Sequence, residues 1–152
     1  MKKEKKGIYV QNRKARFEYF LLETFEAGIA LTGTEIKSIR LGGAELTNSY
    51  IFVNKENEVW TDGLKIRKPK TTTEKDFNPE RPKKLLLHKR QILKLAEKMK
   101  EKGLTIIPVA LYTNARGFAK LEIAIAKGKA DYDKRKTIKE RDLKRQDRKE
   151  ER

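Results

Sequence analysis

Cysteine is absent from this chain, which excludes a disulfide framework, a thiol nucleophile and cysteine-ligated metals. A single histidine, His88, leaves no His–His or His–Cys ligand set and little basis for a Ser-His-Asp site. No apolar run approaches the ~18 residues of a membrane helix. The Lys-rich residues 1–7 are followed by no hydrophobic segment, so neither a signal peptide nor a membrane span is expected. Acidic residues are scarce: 22 Asp+Glu stand against 38 Lys+Arg, a net charge of +16. At 152 residues one domain is the default, yet hydrophobic residues (37%) are outnumbered by charged ones (39%). Part of the chain is therefore expected to remain unpacked. The class that remains is a soluble intracellular protein with a polyanionic partner.

What is present is unevenly placed. Residues 1–16 hold seven basic side chains and one acidic. Residues 127–152 hold twelve basic and seven acidic, with only Ala130, Tyr132, Ile138 and Leu143 apolar. Such a segment cannot bury enough surface to offset its ordering entropy, so it reads as a tail that is disordered when free. The other 110 residues carry 19 basic and 14 acidic groups. The excess thus lies mainly on two tails around a milder body.

Within that body, residues 17–31 alternate with period 2: Phe17, Tyr19, Leu21, Phe25, Ala27, Ile29 and Leu31 on one face, Glu26 on the polar one. A long bent strand is expected. Thr34 can cap a short helix with Ile36 and Ile39 on one face, stopped by Gly42-Gly43. Residues 50–53 and 58–66 read as a hairpin, and 67–81 as a long polar loop. Pro82 is expected to open a helix with Leu85, Leu86, Ile92, Leu93, Ala96 and Met99 as its stripe, ended by Gly103. Residues 104–112 look like a buried strand, and 120–126 alternate with Leu121, Ile123 and Ile125 inward. The expected fold is mainly β with peripheral α: an OB-like closed antiparallel β-barrel with one long and one or two short helices. The same pattern also allows an open α+β sheet.

Three basic constellations follow. Asn12, Arg13, Lys14 and Arg16 combine three cations with an amide, a set suited to RNA phosphates and base edges. Lys127 and Lys129 flank Gly128 where the chain leaves the last strand, placed to straddle phosphates or simply to solvate a strand end. Tyr132, Asp133, Lys134 and Arg135 precede Thr137-x-x-Glu140, a capping-box pattern for a helix that is marginal in water and could order on an anionic partner. Glu26, Glu35, Asp62 and Asp76 show no convergence of the kind a two-metal site needs. His88 reads as a surface or RNA-facing side chain. Phe17, Tyr19, Phe25, Trp60 and Tyr112 sit at strand spacing, core by default and base-stacking as the alternative.

Seven stretches together resemble one bacterial family, the SsrA-binding protein (small protein B, SmpB). They are residues 12–16 (NRKAR), 23–40 (ETFEAGIALTGTEIKSIR), 48–50 (NSY), 81–90 (RPKKLLLHKR), 102–105 (KGLT), 126–129 (AKGK) and 133–142 (DKRKTIKERD). The resemblance implies an OB-like barrel over residues 11–130, a basic extension at 1–10, and a tail at 131–152 that becomes helical on binding. It implies a non-enzymatic adaptor of trans-translation, cytoplasmic, monomeric when free and needing no cofactor. Such an adaptor binds the tRNA-like end of transfer-messenger RNA (SsrA) and accompanies it into stalled ribosomes. There the tail probes the empty decoding site and mRNA channel, against small-subunit ribosomal RNA, and the nascent chain receives its tag.

Carried over by motif, the family's RNA-binding residues resemble Glu26, Leu86, Lys120, Lys127 and Lys129, and its decoding-site motif Asp133, Lys134 and Arg135 behind Tyr132. Glu26 falls on the polar strand face, where a carboxylate can accept hydrogen bonds from a guanine edge. On an RNA-binding surface an acid is otherwise unfavourable. Two positions depart from the family pattern: Phe17 stands where a histidine is usual, and Ala130 where a third lysine is common. The tail has no apolar residue after Leu143, leaving its last turns to engage ribosomal RNA by charge.

Overall fold

The computed structural model describes residues 6–70, 75, 77–114, 116 and 118–129. Tyr132, Asp133, Lys134 and Arg135, the capping-box pattern after them and Asp76 lie outside the described residues. In chain order the elements are β1 (Lys6–Gln11), α1 (Arg13–Glu18), β2 (Tyr19–Ile29), α2 (Gly33–Arg40), β3 (Ala44–Glu45) and β4 (Tyr50–Val53). There follow β5 (Val59–Asp62), β6 (Lys65–Ile66), β7 (Lys83–Leu86), α3 (Lys89–Lys98), β8 (Leu104–Thr113) and β9 (Ala119–Gly128).

Seven strands form one antiparallel sheet in the order β1-β8-β9-β2-β7-β5-β4, and β3 pairs with β6 in a small second sheet. The long sheet curls until β4 lies near β8. Its edges β1 and β4 share no ladder among the described residues, so the fold is mainly β, with a curled sheet in place of the expected hydrogen-bonded closure.

The inner face holds the main core: Phe25, Ala27 and Ile29 of β2 against Ile51, Val59, Leu85, Ile106, Leu121 and Ile123, with Ile39 and Leu95 from the helices. A second cluster lies on the outer face, where Ala15 of α1 covers Ile107, Val109, Ala124 and Ala126. Residues 104–112 are thus apolar on both faces because both faces are covered.

The register explains where simple alternation fails. Leu21 stands opposite Ala126 but Glu23 opposite Ile125, so Leu22 is an extra residue in β2. The bulge inverts the facing of the strand. Phe25, Ala27 and Ile29 point to the main core, whereas Tyr19 and Leu21 pack on the outer cluster beneath α1. Phe17, expected on the strand's inner face, is instead in α1 and 83% exposed. Asn12 is the cause: its side chain caps the helix and ends the extended run.

Three further expectations are corrected. The cap of α2 is Thr32 rather than Thr34, in a capping box with Glu35. Residues 83–86 are a strand, and α3 begins only after His88, so His88 precedes the helix and Leu85 and Leu86 are not on its stripe. Period 2 was masked there because an inward position is a lysine. Lys83 is fully buried, its ammonium donating to the carbonyls of Leu64 and Arg81 and pairing with Glu35 at 3.8 Å. The expected second hairpin arm, residues 58–66, breaks at Gly63 (φ +78°), where β5 ends and β6 departs. A Cβ there would stand 2.7 Å from the Asn48 carbonyl oxygen.

Helix α3 is anchored by Leu95, its one buried residue, while Lys94 pairs with Glu23 at 2.7 Å at the surface. Leu95→Ala is expected to cost about 2–5 kcal/mol of stability, read by denaturant unfolding. Glu35 is also buried, and burial alone would raise its pKa. The Arg81 hydrogen bond at 2.6 Å, the Thr32 amide and the Lys83 charge outweigh that and hold the carboxyl below its ordinary value of 4.5. Its contribution to stability is therefore present above pH 4.5 and is lost as pH falls through the lower native value. Glu35→Gln should remove that part of the acid limb in melting temperature against pH.

Candidate nucleic-acid interface

Three side chains far apart in sequence meet on the outer face because two ladders converge on one glycine. Gly28 of β2 stands opposite Leu86 of β7 on one side and Lys120 of β9 on the other. Glu26, two residues earlier, shares that face. With Leu87 and His88 just before α3 and Gln91 in its first turn, they line an open groove of about 490 Å³. Gly28 supplies its floor: a Cβ there would lie 3.2 Å from the Leu86 Cβ, so any larger side chain fills the groove.

Each wall offers a different chemistry. Leu86 is 56% exposed, an apolar surface that strand pairing holds in position. Lys120 brings a cation. The Glu26 carboxylate accepts a hydrogen bond from the buried Tyr112 hydroxyl at 2.5 Å. Burial first, and then this bond, push the Tyr112 pKa far above the ordinary phenol value, so the hydroxyl stays a donor. One acceptor position on Glu26 is thereby fixed. A carboxylate has about four lone-pair positions, so capacity remains for the N–H groups of a base edge. A purely phosphate-binding cleft would have no use for this acid. Apolar wall, cation and oriented acceptor together suit a nucleotide whose base is read as well as held.

The expected basic residues divide into two situations. Arg13, Lys14 and Arg16 are exposed on α1, on the same outer face as the groove. Arg16 lies 4.0 Å from Glu122, which stands opposite Glu26 in the register. Asn12 is different: it is buried, with its amide donating to the Pro108 carbonyl and its oxygen accepting from the Ala15 amide. Its part is architectural, setting the start of α1. Lys129 donates to the Arg16 carbonyl at 3.1 Å, and its ammonium lies 5.3 Å from the Phe20 ring centre. Lys127 lines a separate, larger cleft of about 950 Å³ with Phe20, Leu22, Lys98 and Leu104. The structure therefore unites Glu26, Leu86 and Lys120, joins Lys129 to Arg16, and keeps Lys127 apart from the groove.

Gly28 and Gln91 were not singled out from sequence as site residues, and Tyr112 was read only as a core or base-stacking ring. The glycine directly follows the Glu26-Ala27 pair, but its role depends on the register across two ladders. Among the described residues no group of three His, Asp or Glu side chains could hold a metal, and Glu35 and Asp62 are engaged with Arg81 and Lys83 and with the Tyr50 hydroxyl. No helix among them is long and apolar enough to cross a membrane.

The family model described as SmpB protein matches residues 9–152. The SsrA-binding protein of Chlorobaculum tepidum is 49% identical over 148 residues, spanning 95% of this chain and 94% of that protein. The one from Novosphingobium aromaticivorans is 50% identical over 145 residues, spanning 94% and 89%. A chain of the solved structure "tmRNA-SmpB: a journey to the center of the bacterial ribosome" superposes with a TM-score of 0.66 at 41% identity, covering 78% of this chain and 82% of that one. The seven stretches of resemblance, the family model spanning nearly the whole chain and relatives half identical along their length agree: the chain belongs to the SmpB family.

Proposed function

We propose that this chain is an RNA-binding adaptor of trans-translation, taking the tRNA-like domain of transfer-messenger RNA (SsrA) to stalled ribosomes for nascent-chain tagging and rescue. The observation that carries this reading is the convergence of Glu26, Leu86 and Lys120 around Gly28, in a protein whose relatives are SsrA-binding proteins. The groove reads an unpaired base of the RNA, Glu26 accepting from its edge while Leu86 packs on its face. Arg13, Lys14, Arg16, Lys127 and Lys129 neutralise phosphates on either side. Asp133, Lys134 and Arg135, with Tyr132 before them, enter the vacant decoding site and contact small-subunit ribosomal RNA.

In this reading the body, residues 11–130, is an OB-like barrel, 1–10 a basic extension and 131–152 a tail that becomes helical on the ribosome. The protein is not an enzyme, needs no cofactor, is monomeric when free and works in the cytoplasm, where ribosomes are. If roughly six to ten phosphates are neutralised, the log–log salt slope of binding is about −4 to −9. Filter binding of transfer-messenger RNA across a salt series measures it. A flat salt response, or no preference over bulk tRNA, would remove the basis of this reading.

A further inference from the structure

The outer face does not stop at Leu86. Trp60 of β5 stands opposite Lys84 of β7, Phe52 of β4 opposite Trp60, and Tyr50 opposite Asp62. Their neighbours Leu85, Val59, Thr61 and Ile51 are buried, so alternation puts Lys84, Trp60, Phe52 and Tyr50 on the same face as Leu86. Tyr50 is 53% and Phe52 36% exposed, their ring centres 6.1 Å apart and tilted by 38°. The Tyr50 hydroxyl donates to Asp62 at 3.0 Å, which fixes the ring in place. The Lys84 ammonium pairs with Glu58 at 2.7 Å, and Lys84 itself sits on β7, between the β5 ring and the β2 floor of the groove. Adjacent strands are about 4.8 Å apart, so the patch begins one strand beyond the Leu86 wall.

Tyr50 and Phe52 are exposed and Trp60 is half-buried beside them; none belongs to the main core, and such a patch marks an interaction surface. Ring faces beside a cation, continuous with a groove for one nucleotide, suit the next unpaired bases of the same strand, since every base has a stacking face. We propose that Tyr50, Phe52 and Trp60 form a stacking platform for unpaired bases flanking the one held at Glu26 and Leu86, with Lys84 meeting the phosphate between them. The platform deepens the adaptor reading and rests on it.

Trp60 is the sole tryptophan, so its emission reports directly on this face. The full-length chain, titrated with the tRNA-like domain of transfer-messenger RNA, is expected to show quenching that saturates where filter binding saturates. Phe52→Ala, and Phe52→Leu, which keeps apolar bulk without the ring, should each weaken binding roughly 5- to 150-fold, the range of one base–aromatic stack. Leu41→Ala, an exposed apolar truncation at the end of α2, should leave affinity unchanged. RNA binding at full affinity by both Phe52 variants, with Trp60 emission unmoved at saturation, overturns the platform and leaves the adaptor reading standing. No binding by the unsubstituted chain overturns the adaptor reading itself.

Discussion

Removing residues 131–152 is expected to abolish tagging in a reconstituted stalled-ribosome assay while leaving affinity for transfer-messenger RNA nearly unchanged. The argument is one of charge and location. The tail carries ten basic and seven acidic side chains, so its net contribution to long-range attraction is small beside that of the whole chain. The groove, the α1 cations and Lys129 all precede the cut. What the tail offers is a run of mixed charge with few apolar residues, suited to contact with a second polyanion, the ribosomal RNA. Filter binding and a tagging assay on one preparation separate the two effects. Tagging by the truncated chain at the full-length rate would show that the tail has no part in ribosome engagement.

The second large effect is expected from Gly28→Val. Its β carbon would already crowd the Leu86 Cβ at 3.2 Å, and the two γ methyls would fill the space between Leu86 and Lys120. A base could then no longer reach Glu26. Affinity for transfer-messenger RNA is expected to fall ten- to hundredfold, about 1.4–2.8 kcal/mol. The backbone of Gly28 is ordinary strand, so the one conflict is with the strand-held Leu86 Cβ, and affinity is compared at a temperature well below the variant's own melting point. Unaltered RNA binding by a folded Gly28→Val protein would show that the nucleotide is bound elsewhere.

How much of this was legible in the sequence depended on whether a residue's local pattern agreed with its tertiary position. The last strand was plain, because Leu121, Ile123 and Ile125 alternate with Lys120, Glu122 and the small Ala124 and Ala126, and all three are buried. Strand β7 was not, because its inward Lys83 looks like a surface residue until Glu35, 48 positions away, supplies the countercharge. Phe17 misled for a related reason: the alternation was continued back through a helix that Asn12 begins. The Thr32-x-x-Glu35 signature lies two residues ahead of Thr34, and it is Thr32 that caps α2. Of the site, Glu26 could be put on a polar face from sequence alone. Its meeting with Leu86 and Lys120 could not, since only the two ladders at Gly28 bring them together.

The extra residue at Leu22 makes the outer face of the sheet asymmetric. Without it β2 would keep one facing throughout, and Tyr19 and Leu21 would not lie outward beneath α1. With it, the outer surface is sealed by a helix at one end and bare at the other, where β7, β5 and β4 follow. A strand laid across this face meets a wall on the α1 side and an open margin on the β4 side. Its placement is thus bounded on one side before any base is read, and a one-residue deletion at Leu22 is expected to turn Tyr19 and Leu21 inward and remove that bound.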